Sequence, residues 1–404
     1  MRRGKRERTG AYRVLMVAPT SFFADYGCHV RILEETRALQ KEGCRVTICT
    51  YHNGQDLPGL EIHRTMSIPW RKGYEVGSSR HKMAFDILLF LRTLWSMFSV
   101  RPDLIHAHLH EGALIGSILS KLWGVPYVFD FQGSLTSEMI DHGFLKPGSR
   151  VYRFMRRLEE WIDRTAPYIL TSSTHAARLL VDEFRCPPER LFCAPDAVNT
   201  AVFRPLPRDE AWAAYKRSWG IPEGRTVIVY LGLLAPYQGT DHLLQAAQIL
   251  CAARGDLHFL IAGYPHLERY QRLARDLGIE GHVTFTGRIP YEEAPRLLAL
   301  GDLAVSPKLS KTEGAGKLLN YMAMGLATVA FDTPVSREYL GEYGVYAAPE
   351  DVADLARALA ELADDLPRCQ ALGAALRRRA EERFSWEHCG ERILAVYGRA
   401  LGAT

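Results

Sequence analysis

A short stretch in the second half of the chain, Ser306–Gly325, contains residue types that can bind an anionic ligand. An apolar run precedes it, and Glu313-Gly-Ala-Gly then leads into a segment with the apolar spacing of a helix. On that helix Lys317 and Asn320 would share one face, with Glu313 just upstream. The unpaired N–H groups and the dipole at a helix N-terminus attract negative charge. The stretch therefore predicts an anion site, although a helix start with a solvated polar face is the simpler alternative.

A second set of polar residues lies in the first half, at the ends of two predicted strands. His106 and His108 alternate along one strand and so share a face, and Asp130 and Gln132 lie at the end of the next strand. Because the carboxyl ends of parallel strands meet at one edge, we expect these side chains, chiefly His108, to line a ligand cleft. Asp130 would orient a hydroxyl of the ligand or steady a positive charge on it; the rival interpretation is a buried carboxylate that caps Gly133-Ser134. Histidines two residues apart also fit a metal site, which is a further alternative.

The elements that position these residues alternate between strands and helices in both halves of the chain. This alternation predicts an α/β protein with two Rossmann-like, doubly wound parallel sheets, whose ligand lies at the strand ends in the cleft between the domains. The predicted strands are Arg13–Ala18, Arg45–Thr50, Leu104–Ala107, Tyr127–Phe131, Ile169–Ser172, Leu191–Cys193, Val227–Leu231, Leu257–Ala262, Val283–Thr286, Leu303–Ser306 and Thr328–Phe331.

Length and charge narrow the class of protein. The chain has 404 residues, 47% of them hydrophobic, which is enough for two domains with full cores. Its net charge is +4, with a basic excess in residues 1–205 and an acidic excess in residues 206–404. The basic half favours an anionic partner, and either a peripheral membrane surface or a phosphorylated acceptor qualifies. No motif supports nucleic-acid binding.

Cysteine usage and hydropathy bear on the compartment. The eight cysteines are scattered and form no CxxC pair, so neither a zinc site nor a disulfide framework is supported. No apolar signal core follows the basic Met1–Gly10, and the cytoplasm, or the inner face of the cell membrane, is the expected location. The most apolar segment, Met83–Val100, carries Asp86 and Arg92. We expect it to be a largely buried helix, with an interfacial anchor as the alternative.

Several motifs occur in an order and spacing that resemble a known family. They are Pro19–Gly27, Arg101–His108, Pro195–Asn199, Phe203–Pro205, Gly232–Gly239, Val283–Gly287, Asp302–Pro307, Glu313–Gly325 and Phe384–Trp386 with Tyr397. On these motifs the chain resembles a family 4 glycosyltransferase (group 1 glycosyl transferase) with the two-domain GT-B fold. The resemblance covers residues 11 to 400.

The resemblance implies a domain plan and a reaction. The plan is a basic tail at 1–10, an acceptor-side domain at 11–205, a donor domain at 206–383 and a helix at 384–404 that returns to the first domain. The implied reaction is a retaining transfer of a sugar from a nucleotide-diphosphate donor to a hydroxyl, in the synthesis of a cell-envelope glycan or glycolipid. No metal and no cofactor besides this co-substrate is implied. The acceptor would be a glycan or a lipid-linked molecule.

The chain departs from the family pattern where the donor diphosphate would bind. Leu233 replaces the usual arginine and Gln238 the usual lysine of the donor loop. A charged hydrogen bond contributes about 1.5–3 kcal/mol, so losing two would weaken donor affinity by about a hundred- to ten-thousandfold. We expect a cation elsewhere to compensate, and Lys317, Lys308 and Arg288 are the candidates, with Lys317 the best placed.

The resemblance also assigns roles to single residues. Glu313 and Asp130 are the expected catalytic residues. Gly27, His108 and Gln132, the last in place of a usual histidine, are expected at the acceptor. Asn320 replaces a second acidic residue and is still able to bind the ribose hydroxyls. The expected donor-binding residues are Gly232, Gln238, Gly239, Arg288, Lys308, Gly314, Ala315, Gly316, Lys317, Leu318 and Asn320.

Two other functions stay open on the sequence. The missing arginine and lysine also fit a GT-B protein that has lost transfer and acts as a sugar or nucleotide binder, or as a partner subunit. Another GT-B reaction, such as nucleotide-sugar epimerisation, would need acid and base residues facing the sugar.

Overall fold

The structure, a computed structural model, describes residues 12–23, 27–67, 82–310 and 314–402. Glu313, Asp25, Tyr26 and the basic tail at 1–10 lie outside the described residues. The chain divides into two compact units: Met1–Asp196 with Trp386–Thr404, and Ala197–Lys311 with Ala315–Ser385.

The first unit is built on a seven-stranded sheet in the order β3-β2-β1-β4-β5-β6-β7, with every strand pair parallel. Its central strands are buried on both faces, which explains their continuous apolar sequences. Its elements up to Asp196 are β1 (Arg13–Ala18), α1 (Gly27–Lys41), β2 (Arg45–Thr50), β3 (Glu61–Arg64), α2 (Lys82–Val100), β4 (Leu104–His108), α3 (Leu109–Trp123), β5 (Tyr127–Phe131), α4 (Leu135–Asp141), α5 (Arg150–Thr165), β6 (Ile169–Thr171), α6 (Thr174–Asp182) and β7 (Leu191–Cys193).

The second unit is built on a six-stranded parallel sheet in the order β10-β9-β8-β11-β12-β13. Its elements are α7 (Glu210–Ser218), β8 (Thr226–Leu231), α8 (Thr240–Ala253), β9 (Leu257–Ala262), α9 (Leu267–Asp276), β10 (Val283–Gly287), α10 (Ala294–Leu298), β11 (Leu303–Ser306), α11 (Gly316–Ala323), β12 (Ala327–Phe331), α12 (Pro334–Leu340), β13 (Val345–Ala347), α13 (Val352–Ala363) and α14 (Leu366–Arg383).

The last helix, α15 (Trp386–Ala400), belongs to the first unit and packs against α1. Gly390 makes the close approach possible, because a Cβ there would lie 3.1 Å from the Cβ of Ala38. The hydroxyl of Tyr397 lies 2.6 Å from Nδ1 of His106, which ties α15 to β4.

Both predicted parallel sheets are confirmed, and the apolar strands of the first half lie within one residue of the predicted bounds. The structure adds β3 and β13, which the sequence did not predict. The prediction of a largely buried Met83–Val100 helix is wrong: this is the one helix among the described residues that is long and apolar enough to cross a membrane, and 28% of it is buried. Its inner side packs on β1 and β2, whereas its outer side is apolar and exposed.

Candidate functional site

The loop after β8 folds tightly against the end of β9. Gly232 has φ +155°, and its backbone N–H donates to the carbonyl of Ala262 at 3.0 Å. A Cβ on Gly263 would lie 1.9 Å from the carbonyl oxygen of Gly232, so only glycine fits there. These glycines let two strand ends meet backbone to backbone.

The far end of the same loop is held against the segment that follows β11. Gly239 has φ +75°, and a Cβ there would lie 1.8 Å from the carbonyl oxygen of Pro307. The N–H of Leu309 donates to the carbonyl of Tyr237 at 2.9 Å. The loop between Gly232 and Gly239 therefore lies between the carboxyl ends of β9 and β11, at the sheet edge where a ligand is expected.

Lys317 lies at this loop, as the sequence led us to expect. Its Nζ donates to Oε1 of Gln238 at 2.8 Å and to the hydroxyl of Tyr230 at 3.1 Å. It also lies 4.3 Å from the centroid of the Tyr230 ring, a cation–π contact. A Cβ on Gly232 would be only 2.7 Å from this Nζ. The ammonium group is thus placed between the backbone of Gly232 and the side chain of Gln238.

Helix α11 begins beside Lys317, and within the described residues its N-terminus has no side-chain cap. Ala315, at the N-cap position, is buried and supplies no side-chain cap, and Gly316 is exposed with no atom within 4 Å of an added Cβ. Leu318 has its side chain in the core and its N–H bonded to the carbonyl of Ala315, so it offers little to a ligand. Asn320 is half-buried, and its side chain makes no hydrogen bond within the described residues.

The other two candidate cations, Lys308 and Arg288, follow strands at different distances from β8 and its loop. Lys308 lies two residues after β11, the neighbour of β8, and only 8% of its surface is exposed. Arg288 is exposed after β10, and its guanidinium carbon lies 5.4 Å from the ring centroid of Tyr264. Because strands lie about 5 Å apart, the end of β10 is about 10 Å from the end of β8. Lys308 is therefore the nearer partner for Lys317.

The remaining expected residues are Glu313, a catalytic candidate, and Gly314, a donor-binding candidate. Glu313 lies outside the described residues, and Gly314 is half-buried. Three residues that the sequence did not single out belong to the site. Within the described residues the hydroxyls of Ser306 and Ser310 are buried without a hydrogen-bond partner, and Tyr230 holds Lys317. Ser306 ends β11, and its position at a strand end was the available signal.

In the first unit, Asp130 is buried in a network of charged side chains. The guanidinium of Arg31 donates to Asp130 at 2.7 Å and also pairs with Glu35 and Asp196, each at 2.9 Å. Nδ1 of His108 lies 3.0 Å from Asp130, and the amide nitrogen of Gln132 donates to the same oxygen at 2.7 Å. The expected acceptor residues His108 and Gln132 are thus joined through Asp130.

Arg31 controls the ionisation of this network. Burial raises the pKa of the Asp130 carboxyl, but the Arg31 guanidinium and His108 outweigh it and hold that pKa well below its usual range. The pKa of Glu35 is raised well above its usual range by burial, despite the same guanidinium. Arg31 and His108 thus favour the ionised form of Asp130, whereas burial favours the protonated form of Glu35.

The contacts of Asp130 rule out one alternative role, the cap of Gly133-Ser134, and argue against another, a metal site. Ser134 accepts from the N–H of Ser137 and caps α4 itself, so Asp130 does not cap Gly133-Ser134. One ligand atom from each of Glu35, His106, His108 and Asp130 lies within 4.8 Å of the others, which is close enough for a metal ion. The Arg31 guanidinium already pairs with both carboxylates, so the arrangement fits an ion-pair network rather than a metal site.

The strand β4 runs into α3 without a loop. Leu109, the first residue of α3, has φ +58°, which costs a residue other than glycine about 1–2 kcal/mol. Buried pairs lie on both sides: the ring of His108 stacks on His106 at 4.4 Å, and Nε2 of His110 lies 3.1 Å from Asp163. These contacts hold the turn that places His108 at the strand end.

Gly27 is the first residue of α1. It is exposed, no described atom lies within 4 Å of an added Cβ, and its φ is not positive, so it is not a left-handed turn glycine. Its role at the acceptor stays a prediction.

Comparison with known proteins agrees with both units. The family model described as "Glycosyl transferase 4-like domain" matches residues 26–196, and that described as "Glycosyl transferases group 1" matches residues 213–379. A D-inositol 3-phosphate glycosyltransferase of Thermobispora bispora is 29% identical over 401 residues, covering 93% of this chain and 90% of that protein. A 2-deoxystreptamine glucosyltransferase of Streptomyces kanamyceticus is 28% identical over 311 residues, covering 74% and 78%.

Solved structures share the fold. Sucrose-phosphate synthase from Thermosynechococcus elongatus superposes with a TM-score of 0.82 at 16% identity, covering 97% of this chain and all of that one. HepE from Anabaena, solved in complex with UDP and glucose, gives a TM-score of 0.76 at 14% identity, covering 96% and 99%. With two family models matched in sequence and the fold shared over nearly the whole length, the chain belongs to the group 1 glycosyltransferases and has the GT-B fold.

Proposed function

We propose that this glycosyltransferase takes its sugar from a nucleotide-diphosphate donor that binds in the second unit, at the loop Gly232–Gly239. The observation that carries the proposal is the position of the Lys317 ammonium, 2.8 Å from Gln238 and beside the backbone of Gly232. An ammonium group and an uncapped helix N-terminus at one point favour a diphosphate. Lys317 thus takes over the charge that the family places at position 238.

The chemistry explains why a cation is needed there. Transfer breaks the bond between the sugar C1 and a diphosphate oxygen, and the electron pair leaves with the diphosphate. Preorganised donors aimed at this developing charge stabilise the transition state. Lys317 and the N–H groups of Gly316 and its neighbours supply such donors, with Lys308 as the nearest second cation.

We propose that the configuration at C1 is retained. The acceptor hydroxyl attacks C1 from the face that the diphosphate leaves, and its proton passes to the departing phosphate oxygen. No protein nucleophile is required in this scheme. In this scheme Asp130 orients Gln132 and His108 towards the acceptor. Glu313 holds the hydroxyls of the donor sugar.

Relatives of known structure support the donor class. HepE from Anabaena was solved with UDP-glucose, and the catalytic domain of starch synthase IV from Arabidopsis thaliana with ADP and acarbose. Both share the fold of this chain at 14% and 15% identity. A nucleoside diphosphate at the strand ends of the second unit is the arrangement we propose here.

Two acceptor classes have specific support. The basic excess of residues 1–205 and the exposed apolar side of α2 favour a lipid-linked or envelope glycan, made in the cytoplasm at the inner face of the cell membrane. The names of the relatives favour a cyclitol, because D-inositol 3-phosphate and 2-deoxystreptamine both carry ring hydroxyls. We place the envelope acceptor first and the phosphorylated cyclitol second.

Calorimetry against UDP-, GDP- and ADP-sugars and their free diphosphates tests the donor proposal. We expect micromolar binding of one donor by the wild type and a tenfold or greater loss in Lys317→Ala. Lys216→Ala is the matched control, since Lys216 is also half-buried, with Nζ 5.4 Å from the ring centroid of Trp212. Binding that Lys317→Ala leaves unchanged would move the diphosphate to another cation, and no binding of any donor would overturn the proposal.

Turnover assays distinguish retention from inversion, and a transferase from a protein that only binds. Proton NMR of the product with the bound donor gives the anomeric configuration, so inversion would refute retention. Binding without turnover on lipid-linked glycan or cyclitol phosphate acceptors would favour the sugar or nucleotide binder that the missing arginine and lysine first suggested.

A further inference from the structure

Three helices of the first unit lie together on one side of its sheet. The connections β3 to β4, β4 to β5 and β5 to β6 all run in the same direction across the sheet, through α2, α3 and α5. Because parallel crossovers are right-handed, the three helices lie on the same face. The helix α3 packs against both α2 and α5, so their outer sides form one surface, called here the α2–α3–α5 face.

The outer side of α2 is an apolar stripe. Five large hydrophobic residues recur at helical spacing and are exposed: Met83, Ile87, Leu91, Trp95 and Phe98. Trp95, the largest of them, is 69% exposed. On the inner side, Leu89 and Met97 are buried in the core of the unit. A helix that is apolar all round is normally covered on all sides, and this one is covered on one side.

The stripe continues onto α3. Ile118 and Leu122 are exposed near the end of that helix, and the ring of Trp123 lies 5.3 Å from that of Phe98 in an edge-to-face contact. Lys121 lies between them and is exposed. With α5, these helices hold ten of the sixteen large hydrophobic side chains that are exposed within the described residues. Clustering of this degree marks an interaction surface.

The outer side of α5 alternates arginine with aromatic residues. Phe154 is 66% exposed and Trp161 is 45% exposed. Four arginines are exposed on the same helix, and within the described residues none of them pairs with an acidic side chain: Arg150, Arg153, Arg157 and Arg164. Basic residues beside Trp and Phe on a polar helix are typical of segments that lie in the plane of a membrane interface.

The acidic residues of the three helices contribute little to the exposed α2–α3–α5 face. All five that the three helices carry are buried or half-buried: Asp86, Glu111, Glu159, Glu160 and Asp163. Asp86 accepts from the hydroxyl of Tyr51 at 2.6 Å, and Glu160 pairs with Arg156 at 3.4 Å. The exposed surface of the three helices is therefore apolar and positively charged, and Glu160, whose side chain is 39% exposed, is paired with Arg156.

We propose that the α2–α3–α5 face docks onto an anionic lipid bilayer, with the α2 stripe in the interfacial region and the α5 arginines on the lipid headgroups. Charge complementarity selects this occupant. A second copy of the chain, joined by a two-fold axis, would bring the same unpaired arginines together and repel. A membrane span is disfavoured, because Leu89 and Met97 fill the core and Arg92 lies at the middle of α2.

This inference deepens the proposed site of action at the inner face of the membrane, yet it is tested without sugar transfer. The probe is co-sedimentation with unilamellar vesicles of phosphatidylcholine containing 30% phosphatidylglycerol, compared with vesicles of phosphatidylcholine alone. We expect binding to the anionic vesicles only, weakening as salt rises. Arg153→Gln with Arg157→Gln removes two charges and should lower the partition coefficient about 30-fold. Leu91→Ser with Trp95→Ser should lower it on the order of tenfold.

Matched controls lie in the second unit. Arg272→Gln with Arg275→Gln removes two exposed charges from α9, and Ile249→Ser removes an exposed apolar residue from α8; each should change binding less than twofold. Unchanged melting temperatures would show that every variant is folded. Donor calorimetry on the same preparations keeps a failure of the donor proposal distinct from a failure of this one.

Three results would overturn the proposal: no binding to anionic vesicles at low salt, equal binding to neutral vesicles, or full binding by both face variants. Sedimentation equilibrium supplies a fourth. A dimer that forms in the wild type and is lost in Leu91→Ser with Trp95→Ser would assign the face to contact between copies.

Discussion

Nζ of Lys317 lies 2.8 Å from Oε1 of Gln238, so the side chain at position 238 accepts a hydrogen bond from a lysine on another segment. The two positions, 79 residues apart in the chain, carry one positive charge between them. This relationship places a cation at the point where the diphosphate is proposed to bind.

Gln238→Lys should raise the affinity for a diphosphate and lower the stability of the unliganded protein. A second ammonium about 3 Å from Lys317 repels it, which costs on the order of 1–4 kcal/mol in a partly solvated site. A bound diphosphate removes this repulsion and gains a charged hydrogen bond, so we expect affinity for the free diphosphate to rise about tenfold. Calorimetry measures the affinity and differential scanning fluorimetry the loss of melting temperature.

Gln238→Met is the control for that change. It removes the hydrogen-bond acceptor without adding charge, so affinity should not rise. If Gln238→Lys weakens every diphosphate as much as Gln238→Met does, the pocket beside Lys317 is not the diphosphate site.

The sequence predicted the parts of the fold that depend on local pattern. Apolar runs such as Tyr127–Phe131 were placed at their observed bounds, because strands buried on both faces need a continuous apolar sequence. The strand Glu61–Arg64 was missed, since it lies at the sheet edge, is polar and is only half-buried. The exposed side of α2 was also missed, because composition does not tell which side of an apolar helix has a partner.

The candidate site was predicted only in part, for a related reason. Lys317 was singled out because motif order placed it in the first helical turn after the glycine stretch that ends at Gly316. Arg31 was not, because its partners Asp130 and Asp196 lie 99 and 165 residues away, and no local pattern records such pairs. The loop glycines could be located but not explained, since their necessity comes from backbone atoms of other strands.

Gly239→Ala should destabilise the second unit. The added Cβ would lie 1.8 Å from the carbonyl oxygen of Pro307, and the left-handed φ of +75° adds strain. The backbone must move, and we expect a loss of about 2–4 kcal/mol in the free energy of unfolding. Urea denaturation followed by circular dichroism measures it. Gly281→Ala, where no atom lies within 4 Å of the added Cβ, should cost less than about 1 kcal/mol, and equal costs for both variants would contradict the packing described here.

Arg31→Met should destabilise the first unit strongly, and more so at high pH. It leaves Asp130, Glu35 and Asp196 without their shared cation, and removing one partner of a buried ion pair costs about 3–5 kcal/mol. Without Arg31, burial would raise the pKa of Asp130, so the folded state would lose stability as pH rises through that new pKa.

Urea unfolding of Arg31→Met at pH 5 and pH 8 measures this effect. The control is Arg37→Met, on the same helix, which loses an exposed arginine paired with Glu34. Equal destabilisation of the Arg31 variant at both pH values would show that the carboxylates are not what Arg31 stabilises.

His110 should make the stability of the first unit fall between neutral and alkaline pH. Burial lowers the pKa of His110, but Asp163, 3.1 Å away, outweighs it and raises that pKa to about 9. A pKa raised above its unfolded value of 6.5 contributes stability that is complete below pH 6.5 and is lost as pH rises through 9. The shift corresponds to about 3 kcal/mol.

His110→Gln should abolish this alkaline decline in the free energy of unfolding, measured with urea at pH 6, 7, 8 and 9. His258→Gln is the contrasting control. Burial lowers the pKa of His258 to about 4, so its contribution is present above pH 6.5 and is lost as pH falls through 4. That variant should therefore keep the alkaline decline and lose part of the acid one. An alkaline decline that persists in His110→Gln would mean that the His110–Asp163 pair is not ionised in the folded protein.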